Sequence, residues 1–154
     1  MRRHSPQIVT KDAESKLLDC LLQLSYGDLP WEIAILHGSM MNPATRNILR
    51  LREVSSSITQ NIARTDITAY MCSDSDIFFL YPEPVGDIWS PLHAIVKELL
   101  PFQDPHELVS KKLFTFHDVV YSYEHIFTML RSKLTLQEAY KEVHTIANTL
   151  KTTT

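Results

Sequence analysis

Two carboxylates, Asp74 and Asp76, stand one residue apart in the run Cys72-Ser73-Asp74-Ser75-Asp76. Paired carboxylates on one turn are the beginning of a divalent-cation site. A calcium loop of the EF-hand type would continue to a glycine and then to a glutamate at its twelfth position. Here Ile77 and Phe78 follow, so the run reads as a polar turn with hydrogen-bonded caps. His37-Gly38-Ser39 places a histidine beside a hydroxyl, the raw material of nucleophilic catalysis. No G-x-S-x-G elbow surrounds it. Arg46 and Arg50 lie one helical turn apart and could grip a phosphate. The other histidines, His4, His93, His106, His117, His125 and His144, show neither H-E-x-x-H spacing nor an accompanying C-x-x-C. No metal centre and no cofactor are expected.

Composition narrows the chemistry further. Only three glycines occur in 154 residues: Gly27, Gly38 and Gly86. Phosphate-cradling loops and dinucleotide fingerprints need several glycines close together, so that backbone N–H groups can approach the phosphates. Net charge is −3, with eight basic against nine acidic residues in 1–77 and seven against nine in 78–154. Neither half carries the basic footprint of a nucleic-acid binder. No apolar run reaches the 18 or more residues of a membrane span, so no membrane contact is expected. Cys20 and Cys72 are too few for a disulfide framework. With no signal-peptide pattern behind Met1-Arg2-Arg3, the expected location is cytoplasmic.

The elements that must position these residues follow from periodicity. Residues 1–10 read as a mobile arm, and residues 11–150 as one domain. Apolar residues from Ala13 to Leu24 recur at helical spacing, ended by Gly27 and Pro30. Trp31–His37 reads as a buried strand. Asn42-Pro43 opens a long helix over 43–63. Asp66–Cys72 and Ile77–Tyr81 form a hairpin about the Ser73–Asp76 turn. Ser90-Pro91 starts a helix closed by Pro101 and Pro105, and Lys111–Phe116 is a strand. Two helices complete the chain, the second opened by a capping box, Thr135-Leu136-Gln137-Glu138. Residues 31–117 form the core and 118–150 the C-terminal helices. This is α+β: a ferredoxin-like βαββαβ antiparallel sheet with one N-terminal and two C-terminal helices.

The stretch Asn61–Tyr81, with Arg64-Thr65-Asp66 before the first strand and Ser73-Asp74-Ser75-Asp76 at the turn, resembles the central hairpin of GGDEF domains, the diguanylate cyclases. That family shares the fold of the class III nucleotidyl cyclases, and the element order over 31–117 matches it. The resemblance implies a degenerate member. Set against G-G-D-E-F in either register, the turn lacks both glycines and the acidic pair. The family carries a metal-binding Asp at the end of its first strand, but Leu36–Asn42 holds no carboxylate. Two-metal phosphoryl chemistry needs such carboxylates.

The resulting expectation is a non-catalytic signalling or regulatory module that acts through protein contacts, with a protein partner or as a homodimer. Its vestigial ligand site would be His37, Ser39, Asn42, Ser73, Asp74 and Asp76. A nucleotide ligand is compatible with the resemblance, but no residue supports one. Tyr121, Tyr123, Phe127 and Met129 crowd the C-terminal helices more densely than one buried stripe needs, and are the candidate interface. The alternative is a small ferredoxin-like enzyme or ligand sensor built on His37, Ser39 and Arg46.

Overall fold

A computed structural model describes residues 5–24, 30–83 and 86–152. Their order is β1 (Gln7–Val9), α1 (Ala13–Leu24), β2 (Trp31–His37), a 3-10 turn (Gly38–Met40), α2 (Pro43–Ile48), α3 (Glu53–Asn61), β3 (Thr68–Met71), β4 (Asp76–Pro82), α4 (Trp89–Leu99), α5 (Pro105–Ser110), β5 (Phe114–Asp118) and α6 (Val119–Thr152). The chain is α+β, with a five-stranded mixed sheet and six α-helices among the described residues.

The central strands are apolar on both faces, so both faces need cover. Along β2, Ile33 and Ile35 point to one side while Ala34 and Leu36 point to the other; along β4, Phe78 and Leu80 oppose Ile77, Phe79 and Tyr81. Helices α1 and α6 cover the first side with Ala13, Leu17, Leu21, Ile126 and Leu130. Val54 and Ile58 of α3, Leu92, Ile95 and Val96 of α4, and Leu108 of α5 cover the second. The strand order is β1-β3-β4-β2-β5. Strands β3, β4, β2 and β5 pair antiparallel in turn, an arrangement compatible with a ferredoxin-like core. The sheet is not wholly antiparallel, because β1 joins the free edge of β3 in parallel. Residues 7–9, expected within a mobile arm, are therefore held by a strand ladder; residues 1–4 lie outside the described residues.

Three further expectations need correction. The long helix over 43–63 is two helices, α2 and α3. Asn42 caps the first as expected, its Oδ1 accepting from the Thr45 N–H at 2.9 Å. Between them Arg50 and Leu51 donate to carbonyls only three residues back, at 3.2 and 3.1 Å. That tightening turns Leu49 into the core and leaves Leu51 51% exposed. Pro105 does not close a helix but opens α5, with Asp104 as its cap. The helix before it starts at Trp89, where Asp87 rather than Ser90 serves as the capping side chain: its Oδ1 accepts from the Ser90 N–H at 3.1 Å.

The third concerns the C-terminus. The two expected helices are one, α6, 34 residues long. No Gly or Pro occurs after Pro105, so nothing interrupts it. Thr135 caps nothing, and its hydroxyl donates back to the Arg131 carbonyl at 2.9 Å.

Scarce glycine leaves a mark on α5. Its end is a Schellman motif: the Leu113 N–H donates to the Leu108 carbonyl at 2.8 Å and that of Lys112 to the Val109 carbonyl at 3.1 Å. The left-handed position, where glycine is usual, holds Lys112 at φ 60°. Lys112→Gly is therefore expected to raise stability by about 1 kcal/mol, read as a higher urea midpoint at unchanged slope.

Candidate functional site

Among the described residues, the hairpin turn between β3 and β4 is held by polar bonds from several other elements. The β2–β4 register sets His37 opposite Asp76, so the turn lies beside the end of β2. It closes on itself through the Cys72 N–H, which donates to the Asp76 carbonyl at 2.9 Å, and the Asp76 N–H, which donates to Asp74 Oδ1 at 3.1 Å. Three other elements then hold it. From the 3-10 turn, the Ser39 N–H donates to Asp76 Oδ1 at 2.8 Å. After α2, Arg50 Nε donates to Ser75 Oγ at 2.9 Å, and that hydroxyl donates to the Arg46 carbonyl at 3.1 Å. From α1, Glu14 Oε1 accepts from both the N–H and the hydroxyl of Ser73, at 2.8 and 2.9 Å.

Helix α6 supplies the remaining charge. Lys133 Nζ donates to Asp74 Oδ2 and, at 2.5 Å, to Asp76 Oδ2. Gln137 Nε2 donates to Ser73 Oγ at 2.6 Å. The Asp76 side chain is 2% exposed and that of Lys133 11%, so this is a buried ion pair. Burial alone would lower the Lys133 pKa, but the bonds to Asp74 and Asp76 outweigh it and hold it above the ordinary value. Burial alone would raise the Glu14 carboxyl; the bonds from Ser73 outweigh it and hold it below the ordinary range.

Glu14, Cys72 and Asp74 bring one ligand atom each within 4.8 Å of one another. A thiol binds metal as the thiolate. Burial, then the negative charges of Glu14 and Asp74, push the Cys72 thiol up, which keeps it protonated. The negative charge here is answered by an ammonium from the same chain.

Beside Asp76 lies a histidine cluster. His37 Nε2 and His117 Nε2 both bond to Thr115 Oγ1, at 2.7 and 2.8 Å, and the His117 ring lies 5.9 Å from that of His125. Burial lowers the His37 pKa, against the pull of Asp76 and with the help of His117, Lys133 and His125. Burial, then His125, lowers that of His117. A base whose folded pKa lies below its unfolded value of 6.5 contributes stability above that value. The contribution is lost as pH falls through the depressed one. Urea midpoints are thus expected to drop as pH falls below 6.5, ahead of the loss of the Glu14 contribution, which begins only below 4.5. His37→Gln should flatten that slope.

Comparison with known proteins finds no family model, no curated protein and no solved structure that matches the chain.

The structure therefore gathers Ser73, Asp74, Asp76, His37 and the Ser39 backbone at one place. It uses Asn42 elsewhere, as a helix cap. Sequence reasoning missed Glu14, Lys133, Gln137, Arg50 and Thr115 as their partners. A groove of about 670 Å³ opens beside the turn, between Thr10, Asp12 and Arg50 on one wall and Leu136, Gln137 and Tyr140 of α6 on the other. The four candidate interface residues do not form one patch. Tyr121 is 90% exposed, while Tyr123 and Met129 pack partly buried against the α1–α6 core, and Phe127 stacks on Tyr123 at 5.7 Å. The exposed apolar side chains of α6 lie mostly further along, from Leu136 to Leu150.

Proposed function

We propose that this chain is a non-catalytic regulatory module with a ferredoxin-like core, resembling a degenerate diguanylate cyclase domain, that acts through protein contacts. The observation that carries the reading is the Lys133 ammonium seated between Asp74 and Asp76. In the resemblance these carboxylates stand at the turn that would hold metal against a triphosphate. Here their charge is met from within the fold, and the end of β2 offers His37 and Ser39 rather than a carboxylate. The strand order β3-β4-β2-β5 supports the ferredoxin-like part of the reading. Localisation in the cytoplasm belongs to the same proposal; no described helix is long and apolar enough to cross a membrane.

The enzyme or sensor alternative draws less support. His37 is buried and bonded to Thr115, and Ser39 engages the turn through its backbone. Purified protein incubated with GTP and Mg²⁺ is expected to yield no cyclic dinucleotide. Its formation, lost on Asp76→Asn, would overturn the reading.

A further inference from the structure

From Thr135 to Leu150, every side chain of α6 except Gln137 is exposed. The apolar ones among them are not scattered. Leu136, Tyr140, Val143, Ala147 and Leu150 follow one another at intervals of four, three, four and three. A 3.5-residue period holds side chains on one seam when a second helix winds against it. In heptad terms Tyr140 and Ala147 are a positions, and Leu136, Val143 and Leu150 are d positions. The flanks then differ in kind. The g positions, Ala139 and Ile146, are apolar; the e positions, Gln137 and His144, are polar.

That asymmetry selects the partner's direction. A parallel helix of the same kind sets g against e, which puts Ala139 against His144 of the second copy. An antiparallel one sets g against g and e against e, matching apolar with apolar and polar with polar. We infer that α6 over Leu136–Leu150 is an antiparallel dimerisation helix, and that its partner is a second copy of this chain.

The register is self-complementary. Leu136 meets Ala147 of the second copy, and Tyr140 meets Val143 of the second copy. The two-fold axis passes between Lys141 and Glu142, so the contact closes at two copies instead of propagating. Glu138, Lys141 and Glu142 occupy f, b and c positions, away from the seam, and Lys133, the a position that the register sets against Leu150 of the second copy, has its ammonium turned to Asp74 and Asp76. The stripe is continuous with the groove at its root, where Leu136 and Tyr140 face Thr10, Asp12 and Arg50. The far end of the second copy's helix lies along that groove, which widens the contact beyond two helices. Each globular body sits past the opposite end of the seam, so the two do not collide. The inference gives the protein-contact part of the proposed function its partner, and rests on that part alone.

The test is the mass of the full chain in solution by sedimentation equilibrium across 1 to about 100 µM, the range in which a weak dimer would form. The expected mass is twice 17.8 kDa. Tyr140→Glu alone and Val143→Lys alone should each give monomers with unchanged tryptophan bands in the near-UV spectrum, because both side chains are exposed and the fold beneath is left as it was. The double variant Tyr140→Glu/Val143→Lys should recover the dimer, since position 140 faces position 143 of the other copy. In a parallel pair it would set like charges together and stay monomeric. A monomeric native chain, single variants that remain dimeric, or a double variant that remains monomeric would each overturn the inference. A monomer that makes no cyclic dinucleotide sinks the dimer and leaves the non-catalytic reading standing; a dimer that makes one does the reverse.

Discussion

Lys133→Met is expected to lower the stability of the fold by about 3–5 kcal/mol, the cost of stranding a buried charge without its partner. The stranded charge is Asp76, whose side chain is 2% exposed. After the substitution its Oδ1 still accepts the Ser39 N–H, but Oδ2 loses the ammonium. Asp74 contributes less, because at 35% exposure water screens it. The measurement is urea unfolding at pH 7, where the midpoint should fall with little change in slope. Two controls separate charge from packing. Adding Asp76→Asn to Lys133→Met removes the stranded charge and should recover much of the loss, as a coupling of 0.5–3 kcal/mol or so in a double-mutant cycle. The second control is alkaline titration. A lysine with a raised folded pKa contributes stability below its unfolded value of 10.5, lost as pH rises through the folded one. The native chain should weaken there, and the Lys133→Met variant should lack that step. If Lys133→Met and the double variant are equally unstable, the ion pair is not what holds the turn.

That pair also shows which parts of the molecule were legible in the sequence. Strand β2 appears where its β-forming run lies, and the hairpin forms around the expected polar tetrapeptide, because β-forming composition and turn chemistry are local signals. The turn's own candidates, Ser73, Asp74 and Asp76, are at the site. Their partners come from residues 59 and 57 positions away in sequence, and periodicity cannot name such a contact. A trace of it was present. Lys133 falls three residues after Leu130 and seven after Ile126, on the buried row of α6. Glu14 sits in the buried row of α1 beside Ala13 and Leu17. A charge on an apolar row implies a buried counter-charge. The fused C-terminal helix was missed for the opposite reason. Thr135-Leu136-Gln137-Glu138 has capping-box chemistry, but a cap forms only where the backbone leaves the helix, and no residue there makes it leave. The split of the expected 43–63 helix is a tertiary effect, in which Leu49 and Arg50 are drawn to the core and to Ser75.

Gly38→Ala is expected to be nearly as damaging, for a reason invisible in the sequence. Of the two described glycines only Gly86 has a positive φ, at 76°, and a Cβ there meets open space. Gly38 needs no unusual backbone angle. Its constraint is contact: a Cβ would lie 2.1 Å from the Ser75 carbonyl oxygen and 2.8 Å from its carbon. Those are backbone atoms of the turn, itself held by Arg50 and by the Asp76 bond to Ser39. They cannot swing away as a side-chain tip could. The 3-10 turn or the hairpin must move, and the Ser39–Asp76 hydrogen bond and the Lys133 pair lie in the path of either shift. Overpacking typically costs 1–3 kcal/mol, and a clash against fixed backbone belongs at the top of that range, about 3 kcal/mol. Gly86→Ala should cost about 1 kcal/mol, through its left-handed backbone alone. Thermal unfolding of both variants beside the native chain ranks them. Equal small losses would mean the turn yields more easily than its hydrogen bonds imply. A large loss at Gly38 alone would place the rigidity of the site in the close approach of two backbones, with the ion pair seated on top of it.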